Sequence, residues 1–225
     1  MPKKLIQESL KIQKQLIKRI KSCKKPYMIK VEDKEIIILP KVFPPATDSI
    51  LLVKTVKFKS RDVVLDACSG SGIYTIFAGD KAKKIIATDI SKYAVKNIRD
   101  NVKLHNLEDK VTVIQSDIFP KSKIKFDIIL INPPYTDKKA KDVVEKTVWD
   151  EGHKTVNKFF QSAKQFLKEN GKIYLSWANF ADLSFIENLA KKAGYEIKRV
   201  AKATKNNRVY IIYEIKSRRL RHTTR

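Results

Sequence analysis

Runs of branched apolar residues alternate along most of the chain with longer stretches in which apolar residues recur at helical spacing. Four runs bounded by polar residues read DVVLDA, KKIIATDI, KVTVIQSDI and FDIILIN. The first three are separated by GIYTIFAGDKA and SKYAVKNIRDNVKLHN, which follow a helical period. Continuous apolar strands that alternate with helices are typical of a parallel sheet covered on both faces. The pattern therefore predicts an α/β fold.

The alternation continues to the carboxyl-terminal end. The segments KTVNKFFQSAKQFLKEN and ADLSFIENLAKKAG predict helices on either side of the strand GKIYLSWA. Two final runs, YEIKRV and RVYIIYEI, are joined by a short polar turn. We expect these two strands to form an antiparallel hairpin at one edge of the sheet.

The amino-terminal segment has a different pattern. Ile6, Leu10, Ile17 and Ile20 predict an amphipathic helix with a basic outer face. Such a helix can dock on the main domain, contact a phosphate backbone or lie on an anionic membrane, and its single apolar stripe favours docking. The following YMIKVEDKEIIIL predicts two short strands around a polar turn.

A rigid connector, PKVFPPATDS, leads into the predicted helix SILLVKTVKF, and Thr47 or Asp48 is a candidate cap for that helix. We divide the chain accordingly. Residues 1–45 are predicted to form a basic helix and β-hairpin extension, residues 46–216 the main domain, and residues 217–225 a basic tail.

The composition fits one domain, with 225 residues of which 43% are hydrophobic, but the charge is unusual. The chain has 48 Lys and Arg against 24 Asp and Glu, a formal charge of +24. This excess favours polyanionic partners such as RNA, although a generally lysine-rich composition would also produce it. Cys23 and Cys68 lie far apart, so neither a disulfide framework nor a metal site is expected. No apolar run approaches the roughly 20 residues that span a bilayer, and we expect a cytoplasmic protein without a membrane partner.

Acidic residues follow three successive strands. Asp66 precedes the small-residue stretch Cys68-Ser69-Gly70-Ser71-Gly72, Asp89 ends the second strand, and Asp117 ends the third. Ligands of open α/β sheets bind beyond the carboxyl ends of the strands. Glycines let a ligand approach the backbone closely, Asp89 suits the hydroxyls of a ribose, and Asp117 suits an amino group such as that of adenine. Together they predict an adenosine pocket.

The loop chemistry indicates which adenosine ligand binds. The third glycine of a dinucleotide fingerprint is replaced by Thr75, and the lysine of a triphosphate loop is absent from this motif. Asp66 would repel a phosphate but would suit a sulfonium or ammonium group. These features predict S-adenosylmethionine.

The fourth strand ends in Asn132, Pro133, Pro134 and Tyr135. The Asn132 side-chain oxygen and the Pro133 carbonyl can accept from one amino group, and Tyr135 can stack on a flat substrate. Two acceptors favour a pyramidal nitrogen, whose lone pair is then available for methylation. This arrangement suits conjugated nitrogens, such as those of amides and adenine.

The motifs VLDACSGSG, ATDIS, SDIF and NPPY, in this order, resemble class I S-adenosylmethionine-dependent methyltransferases of the amino-methylating group. The resemblance implies a seven-stranded Rossmann-like sheet with helices on both faces and its last strand antiparallel. It also implies catalytic residues at Asn132, Pro133 and Tyr135. The cofactor contacts that it implies are Asp66, Cys68, Ser69, Gly70, Gly72, Asp89, Ile90, Asp117 and Ile118. Cys68 stands where the family often has a glycine.

The segment VWDEGHKT is similar to one in HemK-type enzymes, which methylate a glutamine amide in translation release factors. Trp149, Asp150 and Gly152 match this segment, whereas Lys154 and Thr155 depart from it. Some short members of that group work with a small partner subunit, which is therefore a possible partner here. The leading hypothesis is methylation of a protein glutamine. The alternatives are the exocyclic amine of adenine in structured tRNA or rRNA, which the charge favours, and a non-catalytic RNA-binding module.

Overall fold

The computed structural model describes residues 3–218 as a seven-stranded sheet flanked by helices, with a helix and a two-stranded hairpin ahead of it. The strands are β1 (Tyr27–Val31), β2 (Lys34–Ile38), β3 (Val63–Ala67), β4 (Lys84–Asp89), β5 (Val111–Gln115), β6 (Phe126–Ile131), β7 (Leu167–Ala178), β8 (Tyr195–Lys205) and β9 (Arg208–Ser217). The helices are α1 (Lys3–Ser22), α2 (Thr47–Thr55), α3 (Ile73–Gly79), α4 (Lys92–Leu104), α5 (Lys154–Phe166) and α6 (Leu183–Lys192). Short 3₁₀ turns occupy Glu145–Thr147 and Glu151–His153.

The large sheet has the order β5-β4-β3-β6-β7-β9-β8. Its first five strands in this order are parallel, and β9 runs antiparallel to both β7 and β8. This confirms the predicted α/β fold, its seven strands and its antiparallel last strand. The final hairpin is also confirmed, and its strands are longer than predicted because the turn needs only Asn206 and Asn207, both with positive φ.

Each face of the sheet buries its own apolar layer. Phe159 of α5 and Ile186 of α6 pack on one face, and Leu52 of α2, Ile76 of α3 and Ile98 of α4 pack on the other. Helix α5 is shorter than predicted, because Leu167 already pairs with Phe126 in the sheet. The predicted helix there included residues that the structure places at the start of β7.

Helix α1 docks on the main domain, as its apolar stripe predicted. Ile17 and Ile20 are buried, but Ile6 and Leu10 are only half-buried. Ser9 and Gln13 take the fully covered positions in the middle of the helix. The predicted apolar stripe is therefore buried in the carboxyl-terminal half of α1. Toward the amino terminus, the buried positions are occupied by the polar residues Ser9 and Gln13.

The predicted boundary at residues 45 and 46 falls in the connector between β2 and α2. Most of the predicted tail, residues 219–225, lies outside the described residues, and Ser217 belongs to β9. Within residues 3–218, no helix combines the length and apolar character needed to cross a membrane.

Candidate cofactor and acceptor sites at the strand ends

Asp66 organises the loop that follows β3. Its side chain is fully buried, and Oδ2 accepts hydrogen bonds from Ser69 Oγ (2.6 Å), Thr75 Oγ1 (2.7 Å) and Thr75 N (3.0 Å). Burial raises the pKa of Asp66 to about 6, against the opposing effect of these hydrogen bonds. Oδ1 is buried and has no partner among residues 3–218. One oxygen therefore holds the loop while the other is available to a cationic ligand.

In the glycine loop, residues 68–72, three residues have a left-handed backbone. Gly70 and Gly72 have φ of 57° and 82°, and a Cβ at Gly72 would lie 3.3 Å from Ile98 Cα of α4. Cys68 also has positive φ, 55°, where a glycine would be free of strain. Burial raises the pKa of its thiol well above the usual value, so Cys68 is not a reactive thiolate.

Two buried side-chain amides of α4 form hydrogen bonds with the glycine loop. Asn97 and Asn101 of α4 both donate from Nδ2 to the Ser71 carbonyl oxygen (2.9 Å each). Their Oδ1 atoms accept from the backbone of β2 and the residue after it, at Leu39 N (2.6 Å) and Ile37 N (2.7 Å). The sequence analysis did not predict these hydrogen bonds from Asn97 and Asn101. The available signal was two asparagines four positions apart on a helix face that otherwise carries buried apolar residues.

Asp89 connects the end of β4 to the glycine loop. Its Oδ2 accepts from Gly70 N (2.9 Å) and its Oδ1 accepts from Ser91 N (2.8 Å). Burial raises the pKa of Asp89, while the backbone N–H groups oppose that change. The neighbouring Ile90 is 66% exposed and offers an apolar surface beside the carboxylate. A carboxylate next to an apolar surface suits a nucleoside.

Asp117 lies at the end of the next strand, so the carboxylates of three adjacent strands share one edge of the sheet. Unlike the other two it is exposed, and it forms an ion pair with Lys158 of α5. Ile118 is buried with φ of 69°, and its carbonyl accepts from Thr88 Oγ1 at 2.5 Å. The structure therefore gives Asp117 a lysine partner that the sequence did not predict.

The Asn-Pro-Pro-Tyr segment follows β6 and is anchored by Asp48. Asn132 Nδ2 and Tyr135 Oη both donate to Asp48 Oδ2, at 3.1 Å and 3.0 Å. Asp48 is only 3% exposed. Because the amide nitrogen is occupied in this way, Asn132 Oδ1 is presented as an acceptor, and it is buried without a partner among the described residues. This orientation is the one that binding of an amino group requires.

The predicted cap of α2 is wrong. Ala46 is the N-cap residue, and its N–H donates to Ser49 Oγ at 3.2 Å. Thr47 and Asp48 are not the cap because both already lie in the first turn of the helix. Asp48 Oδ1 accepts from Ser49 N at 2.8 Å, and its Oδ2 faces the tetrapeptide. An acidic residue in the first turn of a helix is common, so its sequence position did not reveal this contact.

The Tyr135 ring lies within an aromatic group. Its centroid is 5.3 Å from that of Trp177 and 5.7 Å from that of Phe180, both at tilted angles. Burial, followed by the charge of Asp48, raises the pKa of Tyr135 well above its usual value. The hydroxyl therefore remains a proton donor to Asp48 and does not act as a base.

Loop 136–153 continues from the tetrapeptide and closes on itself. Thr136 forms a bridge with Trp149, and Asp150 N donates to the Thr136 carbonyl at 2.9 Å. The Asp150 carboxylate accepts from Thr155 N in the first turn of α5 (2.8 Å), and Gly152 has φ of 66°. The residues that matched the HemK-type segment thus shape this loop.

The strand order and the site together define a class I methyltransferase. The fold matches a tRNA m1G37 methyltransferase of Methanocaldococcus jannaschii with TM-score 0.64 and 22% identity, over 88% of this chain and 58% of the other. It also matches a 16S rRNA N2 G1207 methyltransferase of Thermus thermophilus with TM-score 0.64 and 18% identity, over 86% and 50%. At these identities the likeness concerns the fold.

Residues 46–213 match the methyltransferase small domain family, and the chain belongs to that family. It is 31% identical over 178 residues to a putative protein N5-glutamine methyltransferase of M. jannaschii, covering 76% of this chain and 89% of the relative. It is 36% identical over 118 residues to the release factor glutamine methyltransferase of Clostridium botulinum, covering 48% of this chain but 41% of that relative. The predicted family, and with it methyl transfer from S-adenosylmethionine, is confirmed.

Proposed function

We propose that this enzyme methylates the side-chain amide nitrogen of a glutamine in a protein of the translation machinery. The main support is the orientation of Asn132, whose Oδ1 is buried and unpaired because Asp48 holds Nδ2. The names of the relatives, a protein N5-glutamine methyltransferase and a release factor glutamine methyltransferase, favour the amide over other conjugated nitrogens.

S-adenosylmethionine supplies, when bound, a methyl group on a cationic sulfur. Asp66, through its unpaired Oδ1, would hold the cationic methionine part together with the backbone of the glycine loop. Asp89 would accept the ribose hydroxyls, in exchange for or alongside its present backbone donors. The residues that we assign to the cofactor are Asp66, Cys68, Ser69, Gly70, Gly72, Asp89, Ile90, Asp117 and Ile118.

Asn132 and Pro133 would act on the acceptor. The Asn132 oxygen and the Pro133 carbonyl each accept one N–H of the acceptor nitrogen, which draws that nitrogen out of conjugation and exposes its lone pair. Tyr135 would pack beside the planar amide while its hydroxyl keeps Asp48 in place. No strong base is required, because the nitrogen becomes acidic only after it is methylated, and its proton then passes to solvent.

A second candidate is the exocyclic amine of adenine in structured RNA. The formal charge of +24 and the lysines on the outer face of α1 favour it. The same acceptor geometry serves both nitrogens, so the two functions differ in what binds outside the strand ends.

Transfer of labelled methyl from S-adenosylmethionine to extract of a deletion strain distinguishes them, and the extract also supplies any small partner subunit. We expect label in a protein band that survives ribonuclease and maps to a glutamine. Asn132→Ala should lower the rate by about 10²- to 10³-fold while cofactor affinity stays unchanged. Label that disappears with ribonuclease would establish the RNA alternative, and normal methylation by Asn132→Ala would refute the acceptor geometry.

A further inference from the structure

The buried face of α1 carries an amide where a docking helix ordinarily carries an apolar side chain. Gln13 is 7% exposed and lies between half-buried and buried apolar residues of the same helix. Burying a polar side chain costs free energy that its hydrogen bonds recover only in part, so Leu would serve docking at least as well. The position of this amide therefore needs a reason other than attachment of the helix.

Gln13 joins the two ends of loop 136–153. Its Nε2 donates to Thr136 Oγ1 at 2.7 Å, and its Oε1 accepts from Trp149 Nε1 at 3.0 Å. Thr136 directly follows Tyr135 of the tetrapeptide, and Trp149 pairs with Thr136 where the loop closes. A single side chain thus fixes the loop at the point where it leaves the acceptor site.

The rest of α1 follows the same loop. Ile17 and Ile20 pack against Val144, Val148 and Trp149. Lys21 makes ion pairs with Asp142 (2.6 Å) and Glu145 (2.9 Å) on the loop.

The amino-terminal end of α1 reaches the aromatic group around Tyr135. Leu5 packs there with Tyr210 and Phe180. Helix α1 therefore lies along the proposed acceptor site from the aromatic group around Tyr135 to the first 3₁₀ turn.

We propose that α1 is the element that holds the acceptor site in its working conformation, and that Gln13 is its positioning residue. Gln13 acts through Thr136 and Trp149 and does not touch the reacting atoms. The inference rests on the proposed location of the acceptor beside Asn132, but not on whether the acceptor is a glutamine or an adenine.

The test compares Gln13→Leu with Gln15→Leu in the full-length chain. Leu fills a similar volume but removes both hydrogen bonds, and Gln15 is an exposed glutamine of the same helix. With a recombinant translation release factor as acceptor, Gln13→Leu should raise the acceptor KM about tenfold and leave the cofactor Kd unchanged. Gln15→Leu should resemble the parent in both constants.

Gln13→Glu provides the rescue. A carboxylate accepts from both the Thr136 hydroxyl and the Trp149 indole, so this variant should have a near-parental KM at neutral pH. A parental KM for Gln13→Leu, a matching loss of cofactor affinity, or a Gln13→Glu variant as impaired as Gln13→Leu would each overturn the proposal.

Hydrogen exchange separates this proposal from the proposed function, because it needs no acceptor. Gln13→Leu should speed amide exchange across residues 136–153, whereas Gln15→Leu should not. If the parent enzyme fails to methylate the release factor, the glutamine assignment fails while the exchange result still decides the role of Gln13. Unchanged exchange in Gln13→Leu would refute that role.

Discussion

The glycine loop and loop 136–153 are both irregular, yet they are held by different parts of the chain. Asp66 of β3, Asp89 of β4 and the paired asparagines of α4 hold the glycine loop, and all of them belong to the sheet and its helices. Loop 136–153 is held by Gln13 and Lys21 of α1, outside the region that matches the family. The proposed cofactor site is therefore supported by the sheet and its helices, whereas the proposed acceptor site is supported by α1, a helix outside the sheet. A substitution should therefore be able to impair one of the two sites without impairing the other.

Among these substitutions, Asp48→Ala should have the largest effect on one site while leaving the other unaffected. Removal of the carboxylate frees the Asn132 amide to rotate and leaves Tyr135 Oη without its acceptor. We expect kcat to fall about 10²-fold with little change in cofactor Kd, as measured by steady-state kinetics and calorimetry.

Asp62→Ala is the matched control for that experiment. Asp62 is also buried, but it accepts from Lys59 N ahead of β3, at the opposite end of the strand from the site. The Asp62→Ala variant should have a lower thermal midpoint of unfolding than the parent but the same kcat. An equal fall in kcat for both variants would mean that Asp48 acts only through stability.

Asn101→Leu should affect the glycine loop and leave loop 136–153 unchanged. It removes one of the two donors to the Ser71 carbonyl and leaves Ile37 N without its acceptor, so the glycine loop loosens. We expect cofactor Kd to rise about tenfold while acceptor KM, measured at saturating cofactor, changes little. Asn179→Leu, which removes a different side-chain bond to the backbone at Val209, should leave cofactor Kd unchanged.

The difference between the two regions also explains what the sequence could predict. The strands and their terminal aspartates follow from local periodicity, so Asp66, Asp89 and Asp117 were found together at one edge of the sheet. The contact between Asn132 and Asp48 joins residues 84 positions apart, and that between Gln13 and Thr136 joins residues 123 apart. No local pattern encodes such a contact, because polar residues on a helix or in a connector are ordinarily solvated. Local patterns therefore place the residues of the proposed cofactor site at one edge of the sheet, but they do not reveal the contacts that support the proposed acceptor site.

The pH dependence of cofactor binding sharpens the comparison with a smaller effect. The pKa of Asp66 rises from 3.8 to about 6 on folding, so the folded protein without cofactor gains stability from the neutral carboxyl, and that gain is lost as pH rises through about 6. A cationic ligand favours the ionised carboxylate of Asp66, so cofactor affinity should increase as pH rises through about 6. We expect calorimetry to show affinity about fourfold weaker at pH 5.5 than at pH 7.5. An Asp66→Asn variant should lose this pH dependence, and its persistence there would assign it to another group.

The smallest expected effect concerns Lys158. Its ion pair with Asp117 is exposed, and such pairs contribute about 0–1 kcal/mol, so Lys158→Ala should hardly change stability. If Asp117 binds an amino group of the cofactor, the lysine competes for the same carboxylate, and its removal should tighten cofactor binding up to about threefold. Acceptor KM at saturating cofactor should not change. Lys158 lies on α5 and pairs with Asp117, and among the contacts of the described residues it touches neither α1 nor Asp48. Weaker cofactor binding by Lys158→Ala would instead mean that the lysine itself contacts the cofactor, and that the cofactor site extends onto α5.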